Sequence, residues 1–215
     1  MSVPFSDFYD LIMPEVGGCT TDFVDLHLKE LARDFCHRTR AWTYNPSAAD
    51  LIADQAAYAV PLSADSELVS VKKLTVNDVY LWEDVEEKRD YYADSSAYPK
   101  YERHQPPFSL DSGLTTITLF TQEIPSVSVV GGLVMSLTLK PSSSATTLPD
   151  FLKTQYSEAM RYGVLARLMS MGKKPWTDRA LAVDYMQKFK SEMNFAAYQV
   201  QVGNTRQRLR VKKHG

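Results

Sequence analysis

Apolar residues at positions 24, 28, 31 and 35 recur every three to four residues, which lays Val24, Leu28, Leu31 and Phe35 along one stripe of a helix. Lys29, Glu30, Arg33 and Asp34 fall largely off that stripe. Thr21-Asp22 supplies the start, and the helix is predicted to run to about Arg40, with Trp42 as an apolar plug at its end and Pro46-Ser47 breaking the pattern. A shorter amphipathic segment over residues 5–13 is closed by Pro14 and the Gly17-Gly18 turn.

The same 3.6-residue period returns in the last third of the chain. Leu152, Tyr156, Ala159, Gly163 and Ala166 make one face of a helix predicted to begin at Leu148-Pro149-Asp150 and stop at Gly172. Pro149 suits the first turn, where its missing N–H costs nothing, and Asp150 complements the macrodipole. Gly163 in mid-helix costs up to about 1 kcal/mol relative to Ala, so a close packing contact is expected there. After the turn Lys173-Lys174-Pro175-Trp176, Thr177 is the predicted N-cap of a partner helix carrying Leu181, Tyr185, Phe189, Met193 and Ala196. Leu152, Tyr156, Gly163, Leu181, Tyr185 and Phe189 are the predicted helix-packing residues.

Between the helical regions the period changes. Residues 58–62 look extended, 68–76 are rich in β-branched residues, and 79–82 read as a further strand. Residues 114–120 and 133–140 alternate: Leu133, Met135, Leu137 and Leu139 point one way, Val134, Ser136, Thr138 and Lys140 the other. Gly131-Gly132 is read as a turn or bend. Residues 91–107, rich in Tyr, Ser and Pro, read as a long excursion with little regular structure. The predicted class is α+β: a helical bundle of one long N-terminal helix and a C-terminal helical hairpin, with an inserted, mostly antiparallel β domain and an extended C-terminal tail. The predicted divisions are 1–54, 55–140, 141–202 and 203–215.

Charge sharpens that picture. The formal net charge is −2, yet residues 203–215 hold five Lys or Arg and no acid, which leaves −7 on the remainder. A mildly acidic body with a basic tail argues against wholesale nucleic-acid binding and suits a tail that docks on something acidic. The two cysteines, Cys19 and Cys36, do not form a disulfide framework and are read as free thiols in a reducing compartment. The N-terminus lacks a signal-peptide pattern, and no run approaches the roughly 20 apolar residues of a membrane span, so a protein made in the cytoplasm without membrane association is expected.

Candidate chemistry is sparse. His27, Glu30 and Asp34 share roughly one helical face, but the spacing is not H-E-x-x-H, and we read them as a solvated polar face. Cys36-His37 diverge by about 100° on a helix and cannot simply pair. His104 has no acid or nucleophile at fixed spacing and is read as an exposed loop residue. Glu83, Asp84, Glu86 and Glu87 lack a calcium-loop pattern and are read as a charged turn; lining a DNA channel, they would keep the duplex from sticking. No catalytic, cofactor or metal site is predicted.

The tail alternates. In an extended strand Arg206, Arg208 and Arg210 would share one face and Leu209 and Val211 the other, with Lys212 and Lys213 following. Docking on a protein partner, phosphate binding by a basic arm and a terminus without a role are the three readings.

The order of several local patterns resembles the head–tail adaptor, or neck connector, proteins of tailed bacteriophages. These are Phe35-Cys36-His37-Arg38-Thr39-Arg40-Ala41-Trp42, Leu139-Lys140-Pro141-Ser142, Leu148-Pro149-Asp150, Tyr156-Ser157-Glu158-Ala159 with Gly163-Val164-Leu165-Ala166-Arg167-Leu168, Lys174-Pro175-Trp176-Thr177-Asp178 and the terminal Leu209-Arg210-Val211. They span the chain from about residue 21 onward, with residues 83–107 outside the match. The resemblance implies a non-enzymatic virion protein of the neck, a homo-oligomeric ring of twelve subunits below the portal. DNA would pass through without specific binding, the β insertion would face outward or toward the next neck or tail component, and the C-terminal tail would dock on the portal protein. The alternatives are a nucleic-acid-binding module working through the tail and an enzyme with an unrecognised site.

Overall fold

The computed structural model describes residues 2–81, 108–120 and 124–202. In chain order the strands are β1 (Ser2–Pro4), β2 (Thr43–Tyr44), β3 (Ala49–Leu51), β4 (Ala57–Ala59), β5 (Ser66–Val76), β6 (Val79–Leu81), β7 (Phe108–Leu110), β8 (Thr116–Leu119), β9 (Val129–Pro141) and β10 (Thr147–Pro149). The α-helices are α1 (Tyr9–Ile12), α2 (Thr21–Thr39), α3 (Phe151–Thr154), α4 (Ser157–Met169) and α5 (Arg179–Val202). Single 3-10 turns, Phe5–Phe8 and Met13–Glu15, flank α1. The chain divides into two compact units, one of Met1–Ala41 with Ser143–Gly215, the other of Trp42–Ser142.

The expected class is overturned. Among the described residues the chain is mixed helix and sheet, with several antiparallel sheets and a β-rich unit, rather than a bundle of long helices carrying one insert. Sheet enters the helical unit too. Pro149, expected to open a helix, closes β10, which pairs antiparallel with β1 through Ser2↔Pro149 and Pro4↔Thr147. The first arm of the predicted hairpin is broken. The short α3 ends, Tyr156 leaves helical geometry (φ −127°, ψ 25°), and α4 starts afresh. The break turns the Tyr156 ring into the unit's interior, 5.0 Å from Phe35 and edge-on to Phe151 at 6.0 Å. Pro14, expected as a stop, lies inside the 3-10 turn that follows α1.

The helix α2 buries Val24, Leu28, Leu31 and Phe35, and Arg40 closes it with a left-handed φ of 55° while donating its N–H to the Cys36 carbonyl. Cys36 is wholly buried, and burial pushes its thiol pKa up. Cys19 is buried as well, and both are free thiols.

In the β-rich unit a five-stranded sheet runs β2–β9–β5–β6, with β3 also paired to β9, and a three-stranded sheet runs β4–β8–β7. Both pack on one core that includes Leu74, Phe108, Ile117, Leu119, Leu133 and Leu137. The strand expected over 68–76 forms as β5, without simple alternation of buried and open positions. Leu68, Val71, Leu74 and Val76 are buried at spacings of three, three and two, because register shifts against β9 after Leu68 and after Val71 each add an outward residue. Thr138 belongs to the face expected to be open, yet is only 2 % exposed; β9 is central there, with Thr43 of β2 on one side and Ser70 of β5 on the other.

Gly131-Gly132, expected as a turn, lies within β9. The register of β9 on β3 passes from Leu133↔Ala49 to Val129↔Leu51, so β9 carries extra residues opposite Asp50. Gly131 takes a φ of +66° in that bulge, a conformation costly for other residues, and donates its N–H to Asp50 Oδ1 at 2.8 Å.

Candidate functional site

The predicted packing residues come together where α4 and α5 lie on α2. Gly163 of α4 faces Leu31 so closely that a Cβ built there would stand 2.4 Å from Leu31 Cδ2 and 2.7 Å from Cδ1. Leu152, Tyr185 and Phe189 are buried, while Leu181 is only half-buried. Phe189 reaches the Phe35 ring at 6.4 Å, and Tyr185 stacks on Tyr162 at 5.7 Å.

The helix α5 starts one residue later than expected. Asp178 rather than Thr177 is its cap: Asp178 Oδ1 accepts the Leu181 N–H at 3.0 Å, and the Asp178 carbonyl accepts that of Ala182. Thr177 instead ties the turn, donating its hydroxyl to the Met171 carbonyl at 2.5 Å and accepting the Lys174 N–H.

A polar node that sequence reasoning missed fixes α5 to the chain's start. Tyr185 donates its hydroxyl to Glu15 Oε2 at 2.5 Å, and Arg161 of α4 donates to Glu15 Oε1. Arg161 also bonds Glu158 at 3.0 Å. The Lys188 ammonium lies over the rings of Tyr162 and Tyr185 and pairs with Asp184 at 2.8 Å. Partial burial pushes the Glu15 carboxyl up, but hydrogen bonds from Tyr185 and Arg161 more than offset it and hold it below the ordinary carboxylate range. The bond to Glu15, followed by burial, pushes the Tyr185 hydroxyl up to about 12. Glu15 and Arg161 are 146 residues apart, and no local pattern announces their pairing.

On the His27–Glu30–Asp34 face Glu30 is exposed and Asp34 half-buried, while the His27 ring turns its nitrogens inward. Glu30 reaches Arg167 at 3.3 Å and Asp34 holds Arg38 at 2.7 Å, so the three do not converge. Both ring nitrogens of His27 are buried without a hydrogen-bond partner, and burial pushes its pKa down. Among the described residues no group of three or more His, Cys, Asp or Glu could hold a metal ion. Among them, too, no helix is long and apolar enough to cross a membrane.

The α5 helix runs unbroken for 24 residues to Val202, the residue before the basic tail. Its outward side near that end shows Phe195 and Tyr198 exposed. The tail residues Arg206, Arg208, Leu209, Arg210, Val211, Lys212 and Lys213 lie outside the described residues, as do Glu83, Asp84, Glu86, Glu87 and His104. No family model matches the sequence, and no curated relative is found.

Proposed function

We propose that this chain is a non-enzymatic structural protein of a phage neck, an adaptor that assembles as a ring under the portal and docks on it through residues 203–215. The observation that carries the reading is the way α5 meets the tail. A single long helix, capped by Asp178 and tied at its first turns to Glu15 and Tyr162, ends at Val202, with three residues between it and a sequence that alternates Arg with Gln, Leu and Val. A helix so fixed projects an arm from a defined place, and an arm of that composition suits groove or edge docking on a protein, with Leu209 and Val211 as apolar anchors. Portal, neighbouring copies and the next neck or tail component are the partners in this reading, and DNA passes without specific contact.

The test is truncation after Val202. The shortened protein is expected to stay folded and to lose the ability to join portal-bearing, DNA-filled heads, read by co-sedimentation with the heads and by particle infectivity. Infectious particles formed with the truncated protein would refute the docking role. Tight binding of the full chain to duplex DNA, with a salt dependence that disappears on truncation, would replace it with the nucleic-acid reading.

A further inference from the structure

The outward face of the larger sheet in the β-rich unit carries exposed aliphatic side chains between charges of opposite sign. Along β9 the row Leu133, Met135, Leu137 and Leu139 points to the core, so Val134 points the other way. Val129 packs on the core, which turns Val130 outward as well. Val130 is 89 % exposed and Val134 43 %. Leu51 of β3 pairs with Val129, and the residue after it, Ile52, is 51 % exposed. The backbone beneath these side chains is held at successive points. Gly131 N–H donates to Asp50 Oδ1 at 2.8 Å, Ala53 N–H to Ser128 Oγ at 3.0 Å, and Asp54 N–H to the Pro125 carbonyl at 2.9 Å.

The charges are sorted by place. The strands β3 and β5 flank β9. On the β3 side stand Asp50 and Asp54, both exposed, level with residues 129–133 of β9 or beyond. From residue 42 to residue 71 no Lys or Arg occurs. On the β5 side the register shift after Val71 leaves Lys72 and Lys73 both exposed, with Lys73 opposite Ser136. Val134 lies between the two ends. Among the described residues none of Asp50, Asp54, Lys72 and Lys73 joins an ion pair. A partner of uniform charge would satisfy one end of this face and be repelled by the other, which excludes both a polyanion and a basic groove. A second copy turned end for end satisfies both ends, because each acidic end then meets a basic one.

We infer that the face formed by Asp50, Ile52, Asp54, Lys73, Val130 and Val134 pairs with the same face of a second copy of this chain about a two-fold axis. The valines and Ile52 of the two copies cover one another. Asp50 and Asp54 of each copy reach Lys72 and Lys73 of the other, so every ion pair forms twice. A two-fold contact closes on itself and builds no ring. The pairing therefore goes beyond the adaptor reading and belongs to the free chain.

The test is sedimentation velocity of the full-length protein over about 1–200 µM, where a small contact of this kind should dissociate. A reversible monomer–dimer equilibrium is expected, weakening as salt rises from about 50 to about 500 mM because its ion pairs lie near solvent. Val130→Asp, at a site almost wholly in solvent, sets like charges in the apolar centre and is expected to weaken the dimer about tenfold. Lys73→Glu sets carboxylate against carboxylate and is expected to weaken it about fivefold. Carbodiimide treatment of an equal mixture of isotope-labelled and unlabelled chains is expected to join Lys72 or Lys73 of one to Asp50 or Asp54 of the other, and Val130→Asp to remove that mixed product. Three results overturn the pairing: a chain that stays monomeric over the whole range, association of any size that Val130→Asp leaves unchanged with the fold intact by circular dichroism, or cross-links confined to single chains. No portal or head enters these measurements, so their failure leaves the adaptor reading standing. A dimer with the mixed cross-link in a protein that never joins heads refutes only that reading.

Discussion

Replacing Gly163 with Ala isolates the closest approach in the helical unit. In an exposed helix the change would stabilise by about 1 kcal/mol, since Ala is the better helix former by that amount. Here the new Cβ would stand 2.4 Å from Leu31 Cδ2, 2.7 Å from Cδ1 and 3.0 Å from Cγ. Carbon atoms prefer separations of about 3.5–4.0 Å, so the whole isobutyl group must move by roughly 1 Å. Leu31 is 1 % exposed and has no open side to move toward. Overpacking of this kind costs about 1–3 kcal/mol, so the propensity gain is cancelled or exceeded and the net change falls between about zero and 2 kcal/mol of destabilisation. Gly163→Leu, with three further carbons to place, lies at or above the upper end. The measurement is urea unfolding followed at 222 nm, with a slope of about 2 kcal/mol per molar converting each kcal/mol into roughly 0.5 M of midpoint. The decisive arm is the double-mutant cycle with Leu31→Ala. That change alone costs about 2–5 kcal/mol by leaving a cavity, and the added methyl of Gly163→Ala then falls into space rather than against a leucine. Coupling of about 1–2 kcal/mol in the stabilising direction is expected. Additive single effects, or a Gly163→Ala protein more stable than wild type by the full propensity difference, would refute the packing argument.

Glu15→Gln is expected to cost about 1 kcal/mol at pH 7, because a carboxylate that receives Arg161 and Tyr185 is replaced by a neutral amide. The folded carboxyl is held low, so its stabilisation is present above the unfolded carboxylate pKa and fades as pH falls through the folded value; the two midpoints should converge in acid, and a constant gap would contradict the assignment. His27→Leu removes two unpartnered buried nitrogens and should leave stability at pH 7 unchanged or raise it by about 1 kcal/mol. The wild-type imidazole, its pKa pushed down by burial, binds fewer protons folded than unfolded below the ordinary value of 6.5, so wild type should lose stability between pH 7 and 5 while the variant loses less; parallel curves would exclude the histidine as the cause. Thr138→Asp should disrupt folding as Leu137→Asp does, since both sites are buried, and a soluble Thr138→Asp protein with unchanged melting would contradict the burial.

The parts legible from sequence are those set by neighbours in the chain. The stripe Val24, Leu28, Leu31, Phe35 and the buried row Leu133, Met135, Leu137, Leu139 follow from period alone, because one buried face fixes each. Where a partner distant in sequence decides, local pattern does not show the outcome. Nothing near Pro149 shows that Ser2–Pro4 will pair with it, so a residue fit for a helix start becomes a strand end. Tyr156 carries the helical period, yet it sits at the break between α3 and α4 with its ring tilted against that of Phe35, a residue distant in sequence. The bulges of β5 turn alternation into near-triplet spacing, which leaves Lys72 and Lys73 both outward.

The candidate site divides along the same line. Gly163 could be singled out because a mid-helix glycine is costly unless something lies against it. Glu15 could not, since its partners are 146 and 170 residues away and its own surroundings are an unremarkable Met-Pro-Glu turn.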